Sequence, residues 1–317
     1  MDLKDKKILF ELDKNSRQHL SQLGKKVRLS KEVVFHRINK LVEKGFILRF
    51  QTVISTYRMG YQSYKLYFKL QNMTKEIKKE IQSFLMQNKA VYWVGNCQGR
   101  WDLIVAVWAK NMQSFGNFED QLLNKFSEYI LEKEVTISRK SIQYNRRWFY
   151  DDKKETVETS FGEELEPVKL KKIDLAILRT LATDARIKLI DIAKKLNVSM
   201  TVVRYRLKQL EKNKVVLGYK FALNPKLMDY ETCKAFISFK EITEEKRKLL
   251  VNYIKSIPNA INVVLTIGPW DMEVEFEVKN FEEYYQIMND IQEKHNIVKN
   301  YESVMFSSEP KQVFVPQ

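Results

Sequence analysis

An internal repeat constrains this chain more than any other feature of its sequence. The segment SKEVVFHRINKLVEKGF begins at Ser30 and the segment SMTVVRYRLKQLEKNKV begins at Ser199, an offset of 169 residues. The same offset aligns residues of matching character, without a gap, over about 100 positions. The matched pairs include Asp5 with Asp174, Arg17 with Arg186, Arg37 with Arg206, Met59 with Met228, and Trp101 with Trp270. The chain is therefore a tandem duplication of a unit of about 150 residues.

Each copy begins with three helical segments. In the first copy, Lys4–Asp13 and Arg17–Val27 place apolar residues at helical spacing, and Ser30 suits the N-cap of a third helix. Helix, helix, short turn and helix within about 40 residues is typical of a helix-turn-helix, and the β-rich stretch 46–54 suits a wing or linking strand. The second copy repeats this order at 172–181, 189–196, 199–213 and 215–223.

Each copy continues with alternating strands and helices. In the first copy the predicted segments are 63–70, 75–87, 91–94, 101–109, 115–130 and 135–144, with a short connection at 95–100. In the second copy they are 232–240, 243–257, 261–267, 271–278, 281–294 and 298–306. The order β-α-β-β-α-β predicts a ferredoxin-like module.

These patterns predict an α+β fold with two copies of a winged helix-turn-helix followed by a βαββαβ module. The predicted domains are 1–55 and 56–149 in the first copy, an acidic linker at 150–170, and 171–224 and 225–317 in the second. We expect the linker to be a flexible coil, long enough to let the two copies pair with each other.

The positive charge of the chain is concentrated in the two helix-turn-helix segments. Residues 1–50 carry 13 basic and 6 acidic side chains, a net +7, and residues 170–219 carry 12 and 4, a net +8. Residues 220–317, by contrast, carry 12 basic and 15 acidic side chains. Charge concentrated in this way indicates a surface for a polyanion, and we expect duplex DNA as the partner.

The third helix of each copy has a constant apolar face and a variable basic and aromatic face. Because a DNA-reading helix needs such a face, we predict that these residues bind DNA. The predicted DNA-binding residues are Ser30, Lys31, Phe35, His36 and Lys40 in the first copy, and Ser199, Thr201, Arg204, Tyr205 and Lys208 in the second. Since the two faces differ, they predict a non-palindromic DNA site.

Several classes of protein find no support in the sequence. The two cysteines, Cys97 and Cys233, lack metal-ligand spacing, and we expect a reducing, cytoplasmic setting. No apolar run is long enough for a membrane span or a signal peptide. We find no motif for a cofactor or a metal, and we expect neither.

The order of these elements resembles the Lrp/AsnC family of feast/famine transcriptional regulators, whose βαββαβ unit is called a RAM domain. The resemblance covers nearly the whole chain, once per copy. It rests on Leu29-Ser30, Val34, Arg37, Leu41, Gly45 and Ile47 around the third helix, and on a Gly-x-x-Asp turn at Gly99-Arg100-Trp101-Asp102 and Gly268-Pro269-Trp270-Asp271. The resemblance implies DNA binding as a dimer and sensing of a small molecule such as an amino acid.

The same resemblance implies that the Gly-x-x-Asp turns lie near an effector pocket. The effector residues implied are Gly99, Trp101, Asp102, Gly268, Trp270 and Asp271. The alternative is that the glycines only permit a tight connection, which the aspartates cap. Since both copies lie on one chain, an intramolecular pseudo-dimer is expected, and a homo-oligomer of such units stays open.

An enzyme is the alternative from another class, because sirohaem decarboxylases resemble these regulators and occur as fused versions. A tetrapyrrole enzyme should gather His, Arg and Tyr groups in the βαββαβ pocket. His19 and His36 fall in the first helix-turn-helix and His295 falls late in a helix, so we expect that the chain is not an enzyme.

Two details stay open at this level. Arg37 and Arg206 suit either a DNA phosphate or an acidic partner within the protein. The basic and aromatic cluster at 144–148 suits DNA or a partner, but a strand end with solvated charges is favoured.

Overall fold

A computed structural model describes residues 1–150, 156–162, 166–240, 243–313 and 315–316. The first helix-turn-helix consists of α1 (Leu3–Lys14), α2 (Leu20–Val27) and α3 (Lys31–Glu43), followed by the linking strand β1 (Ile47–Ile54). Its counterpart consists of α6 (Lys172–Thr183), α7 (Leu189–Leu196), α8 (Met200–Lys212) and β7 (Val216–Leu223). The predicted helices and strands of both segments are confirmed to within a few residues.

The two βαββαβ modules follow these segments. The first contains β2 (Gln62–Leu70), α4 (Lys75–Gln87), β3 (Val91–Gly99), β4 (Leu103–Ala109), α5 (Met112–Phe126) and β5 (Ile130–Tyr144). The second contains β8 (Glu231–Phe239), α9 (Glu244–Ser256), β9 (Ala260–Ile267), β10 (Met272–Val278), α10 (Phe281–Lys294) and β11 (Val298–Gln312). The predicted connection at 95–100 begins too early. Strand β3 continues to Gly99, and only residues 100–102 connect it to β4.

The strands of both modules join into one closed sheet. Within the described residues, the strand order is β2-β4-β3-β11-β8-β10-β9-β5, and β5 also pairs with β2. The two last strands close the sheet because each is 15 residues long and pairs with both modules. β5 pairs with β2 along residues 130–137 and with β9 along residues 137–143, and β11 divides its length between β8 and β3 in the same way.

Apolar alternation along the strands decides which faces are packed. One face of β4 and of β10 lies under the helices of its own module and forms a large apolar core there. The opposite faces line the interior of the closed sheet, where a smaller aromatic cluster contains Tyr67, Trp101, Phe236 and Trp270. The two βαββαβ modules therefore meet in the interior of this sheet.

The linker between the copies is more ordered than the sequence suggests. Residues 158–161 form strand β6 (Glu158–Phe161), which pairs antiparallel with the end of β5. Val168 and Leu170 pack against the core of the second helix-turn-helix, and the Val168 N–H donates to the Arg58 carbonyl oxygen at 2.7 Å. The expectation of a flexible coil was wrong for these residues, while residues 151–155 and 163–165 lie outside the described residues.

Candidate nucleic-acid interface

Helices α3 and α8 are built in the same way. Ser30 and Ser199 are their N-caps, and each hydroxyl accepts the backbone N–H three residues later, at 3.2 and 3.3 Å respectively. On α3 the buried side chains are Val34, Ile38 and Leu41, and on α8 they are Val203, Leu207 and Leu210. The caps and the buried face fix the rotation of each helix, and so determine which side chains face solvent.

All ten side chains predicted to bind DNA lie on the exposed part of these helices. Phe35 is 54% exposed and Tyr205 is 57% exposed. By the repeat, Phe35 corresponds to Arg204 and His36 corresponds to Tyr205. The two faces therefore share a scaffold but present different chemistry.

Arg37 and Arg206 turn inward to acidic partners. The Arg37 Nη1 lies 2.7 Å from both the Asp2 Oδ2 and the Asp5 Oδ1. The Arg206 Nη1 lies 3.9 Å from the Asp174 Oδ1, at the equivalent position. Hydrogen bonds to Asp2 and Asp5 raise the pKa of Arg37. Of the two alternatives left open, the structure favours the intramolecular acidic partner, because it ties the third helix to the first.

The two helix-turn-helix segments are joined by their linking strands. β1 pairs antiparallel with β7 in a separate two-stranded sheet. Two arginines add reciprocal contacts: the Arg17 guanidinium donates to the Ala185 carbonyl oxygen, and the Arg186 guanidinium donates to the Ser16 carbonyl oxygen. Sequence reasoning marked these arginines as part of the repeat but did not assign this role. Their matching positions in the two copies were the signal that could have indicated this role.

The Gly-x-x-Asp turns connect strands next to the long strand of the other copy. Gly99 has φ +120° and Gly268 has φ +154°. A Cβ atom at Gly99 would lie 2.5 Å from the Ser303 carbonyl oxygen, and one at Gly268 would lie 2.8 Å from the Val135 carbonyl oxygen. Both positions therefore need glycine for its backbone conformation and for the close approach.

The other residues of these turns are engaged in structure. The Asp102 carboxylate accepts the Leu70 N–H at 2.9 Å, and the Asp271 carboxylate accepts the Phe239 N–H at 2.8 Å. Trp101 and Trp270 are buried in the sheet interior with their ring centroids 6.3 Å apart. These contacts agree with the capping alternative, and contact with an effector stays a prediction.

A group of buried charges, which sequence reasoning missed, crosses the interior between the two copies. Lys65 on β2 places its Nζ 2.6 Å from the Glu273 carboxylate on β10, and Lys234 on β8 places its Nζ 3.1 Å from the same carboxylate. Lys234 also lies 2.9 Å from Glu275. Burial alone would raise the pKa of Glu273, but the ammonium groups of Lys65 and Lys234 lower it to about 2.

Strand β10 is the source of this acidity. Glu273, Glu275 and Glu277 alternate with apolar residues, so all three point into the sheet interior. The equivalent residues of β4 are Ile104, Ala106 and Trp108. Three glutamates alternating with apolar residues along a predicted strand were a visible signal for an internal charge network.

A second ionic group ties the first helix-turn-helix to the sheet. Arg146 lies 3.0 Å from Asp13 on α1 and 2.8 Å from Glu277 on β10, and all three side chains are largely buried. Trp148 donates its Nε1–H to Glu277 at 2.9 Å and stacks on Tyr230. The expectation of solvated charges at 144–148 was wrong, because these residues pack between the first helix-turn-helix and the closed sheet.

The described residues contain no cluster of His, Cys, Asp and Glu that could hold a metal ion, and within them no helix is long and apolar enough to cross a membrane. Cys97 and Cys233 are both buried free thiols. Burial raises the pKa of Cys97 to about 12 and the pKa of Cys233 to about 11. Both side chains therefore stay as neutral thiols near neutral pH.

Comparisons with known proteins agree with this geometry. The model of a winged helix-turn-helix DNA-binding family matches residues 1–47 and 170–216. An uncharacterised helix-turn-helix-type transcriptional regulator of Pyrococcus furiosus is 31% identical over 121 residues, which are 37% of this chain and 78% of that protein. The transcriptional regulator LrpA of Pyrococcus horikoshii is 46% identical over 57 residues, which are 18% of this chain and 40% of LrpA.

The fold, the two matched segments and these relatives define a class: DNA-binding helix-turn-helix transcriptional regulators of Lrp type. The chain belongs to the Lrp/AsnC family, as a tandem duplication of the family's unit.

One solved structure shares the whole two-copy architecture. The siroheme decarboxylase NirDL has a TM-score of 0.66 with 14% sequence identity, and the match covers 99% of this chain and 94% of NirDL. This likeness corrects the expectation that the chain is not an enzyme. An enzyme is built on the same two-copy fold, so the absence of clustered histidines was not sufficient ground for that expectation.

Proposed function

We propose that the chain binds duplex DNA sequence-specifically through α3 and α8 together, as an intramolecular pseudo-dimer. The observation that carries this proposal is the joining of the two helix-turn-helix segments through β1 and β7, reinforced by Arg17 and Arg186. Two different reading faces held in one frame would recognise an asymmetric site.

The proposed contacts are the ten exposed side chains of the third helices, five in each copy. Arg204 has the donor geometry for a bidentate bond to guanine, and Lys31 and Lys40 can contact guanine or phosphate. The net charges of +7 and +8 on the two segments support the attraction of both heads to the phosphate backbone.

Selection of random-sequence duplex DNA by the full chain, at ~150 mM salt, tests this proposal. We expect enrichment of an asymmetric motif. A palindromic motif would contradict the pseudo-dimer, since it would mean that two chains pair through one kind of head. No enrichment at all would contradict sequence-specific binding.

A charge-matched pair of variants tests the proposed reading face. Replacing Lys31, Lys40, Arg204 and Lys208 by Ala should abolish specific binding and leave the fold intact. The control replaces four exposed lysines of the first βαββαβ module by Ala: Lys75, Lys78, Lys79 and Lys89. Unchanged affinity and salt dependence in the first variant would show that the reading face lies elsewhere.

We also propose that a small molecule, such as an amino acid, modulates this binding at the Gly-x-x-Asp turns. Each turn approaches the long strand of the other copy, so a ligand there would contact both halves. Titrating amino acids into the DNA-binding assay tests the idea, and no change in affinity with any of them would contradict it. Light scattering of the same samples measures whether pseudo-dimers assemble further.

The whole-chain likeness to NirDL favours a second candidate, a tetrapyrrole decarboxylase. Incubating the purified chain with sirohaem and following loss of carbon dioxide by mass spectrometry tests it. A product of lower mass, formed only with the intact chain, would establish the enzyme. If sirohaem is unchanged and the chain selects an asymmetric DNA motif, the decarboxylase candidate is rejected and the regulator is supported.

A further inference from the structure

A cavity lies between the linking strand β1 and the closed sheet. Its volume is about 220 Å³, and its lining includes Gln51 of β1, Tyr92 and Trp93 of β3, and Glu309 of β11. A cavity of this size could hold about seven waters or one small organic molecule. Ligands of drug size need about 300–1,000 Å³, so a larger cofactor does not fit this space as it stands.

The two lysines that line the cavity already have anionic partners. Lys65 bonds to Glu273, and Lys234 bonds to Glu273 and Glu275. Arg49 lies outside the cavity lining and donates to Gln312. The cationic side of the lining is therefore occupied, and an anionic ligand would have to compete with buried carboxylates.

The hydrogen-bond acceptors of the cavity, in contrast, can accept further hydrogen bonds. Gln51 Oε1 is buried and has no hydrogen-bond donor among the residues that the structure describes. The Glu309 carboxylate accepts the Trp93 Nε1–H at 2.6 Å through one oxygen. Glu309 is solvent-accessible although protein surrounds it, as expected of a side chain that faces a cavity. Burial and the nearby Glu275 raise the pKa of Glu309, and a cation beside it would offset both effects.

Aromatic rings form much of the remaining wall. Tyr92 and Trp108 stack with ring centroids 4.3 Å apart, and both line the cavity together with Trp93. Aromatic faces attract cations. The Lys234 Nζ already lies 5.2 Å from the centroid of the Trp93 ring, so this wall already accommodates one ammonium group. Together with the spare acceptors and the carboxylate, the aromatic wall forms the kind of site that holds a further ammonium group.

We propose that this cavity is a binding site for a small organic amine, whose ammonium group is held by Glu309 and Gln51 against the Trp93 and Trp108 rings. The site is distinct from the Gly-x-x-Asp turns. Amine binding at this cavity does not require DNA binding, because only residues of the cavity take part in it.

Three four-carbon probes that differ in their end groups, and therefore in net charge, test the proposal by calorimetry on the full chain. They are 1,4-diaminobutane, 4-aminobutanoate and succinate. We expect 1:1 binding of 1,4-diaminobutane, at least tenfold weaker binding of 4-aminobutanoate, and no binding of succinate. Equal or preferred binding of either carboxylate would overturn the proposal, and so would no binding of 1,4-diaminobutane at millimolar concentration.

Variants locate the site. Glu309→Gln keeps an acceptor for Trp93 but removes the charge, and should weaken 1,4-diaminobutane binding at least tenfold. Gln51→Leu should weaken it by a smaller factor. The matched control is Glu293→Gln, on the exposed surface of α10, which should leave binding unchanged. Tryptophan fluorescence gives a second readout, because Trp93 and Trp108 line the cavity. Equal affinity in Glu309→Gln and Glu293→Gln would place the amine elsewhere and overturn the proposal.

Discussion

The first and second copies have the same fold but divide the chemistry of the sheet interior unequally. β4 of the first copy presents Ile104, Ala106 and Trp108 to the interior, whereas β10 of the second presents three glutamates. The partners of these glutamates include Lys65 and Arg146, which the first copy supplies. A duplicated unit need not stay symmetric, because each copy can specialise to complement the other.

The connection of each helix-turn-helix to the sheet differs in the same way. Asp13, Arg146 and Glu277 hold the first one by charge. At the equivalents of Asp13 and Arg146 the second copy has Ala182 and Val315, and Val315 is buried in the second helix-turn-helix core. The first helix-turn-helix is therefore attached to the sheet through a buried ionic group. The second is attached through apolar contact.

Arg146→Gln should have the largest effect on stability among the variants that compare the two copies. It leaves Asp13 and Glu277 as buried carboxylates without their guanidinium, which should lower the free energy of unfolding by about 3–5 kcal/mol. The matched change in the second copy, Val315→Ala, should cost about 1–2 kcal/mol. Urea unfolding measures both, and hydrogen exchange should show added opening in α1 for Arg146→Gln. Equal costs would contradict the difference between the two attachments.

Glu273→Gln removes the carboxylate shared by Lys65 and Lys234. We expect a loss of about 3 kcal/mol of stability, the lower end of the range for a broken buried pair, because Glu275 still pairs with Lys234. Ile104→Val, at the equivalent position of β4, should cost about 1 kcal/mol. Denaturant unfolding distinguishes these values. A Glu273→Gln protein as stable as the Ile104→Val protein would contradict the expected cost of leaving Lys65 without its carboxylate.

The pH dependence of stability should also identify Glu273. Its pKa in the folded protein is about 2, below the ordinary 4.5, so the folded state binds fewer protons than the unfolded state between these values. Its contribution, about 3 kcal/mol, is complete above about pH 5 and is lost as the pH falls toward 2. Unfolding followed from pH 6 to pH 2 should show this loss in the wild type and a shallower slope in Glu273→Gln. Parallel slopes for the two proteins would assign the acid sensitivity to other carboxylates.

The N-caps of the third helices should give the smallest and most equal effects. Ser30→Ala and Ser199→Ala each remove one hydroxyl acceptor for a backbone N–H, and each should cost about 1 kcal/mol. Thermal unfolding of the two single variants measures the costs side by side. Because the caps have the same geometry, a difference much larger than 0.5 kcal/mol would mean that even the shared scaffold has diverged.

Local patterns carried much of the prediction. The spacing of Val34, Ile38 and Leu41, with Ser30 before them, was sufficient to place α3 and its exposed face, because helix periodicity and capping act within one or two turns. The repeat then transferred the same prediction to α8. The side chains at 144–148 were misjudged because the partners of Arg146 lie more than 100 residues away in the sequence.

Sequence patterns were sufficient to predict the duplicated unit, the order of its helices and strands, and which side chains of the third helices face solvent. Those features follow from local spacing and from the match between the copies. Three features become visible only in the folded chain: β1 pairs with β7, β5 and β11 close a single sheet, and Lys65 meets Glu273 inside it. Strand pairing and burial of charge depend on contacts between distant segments, and the periodicity of any one segment carries no information about such contacts.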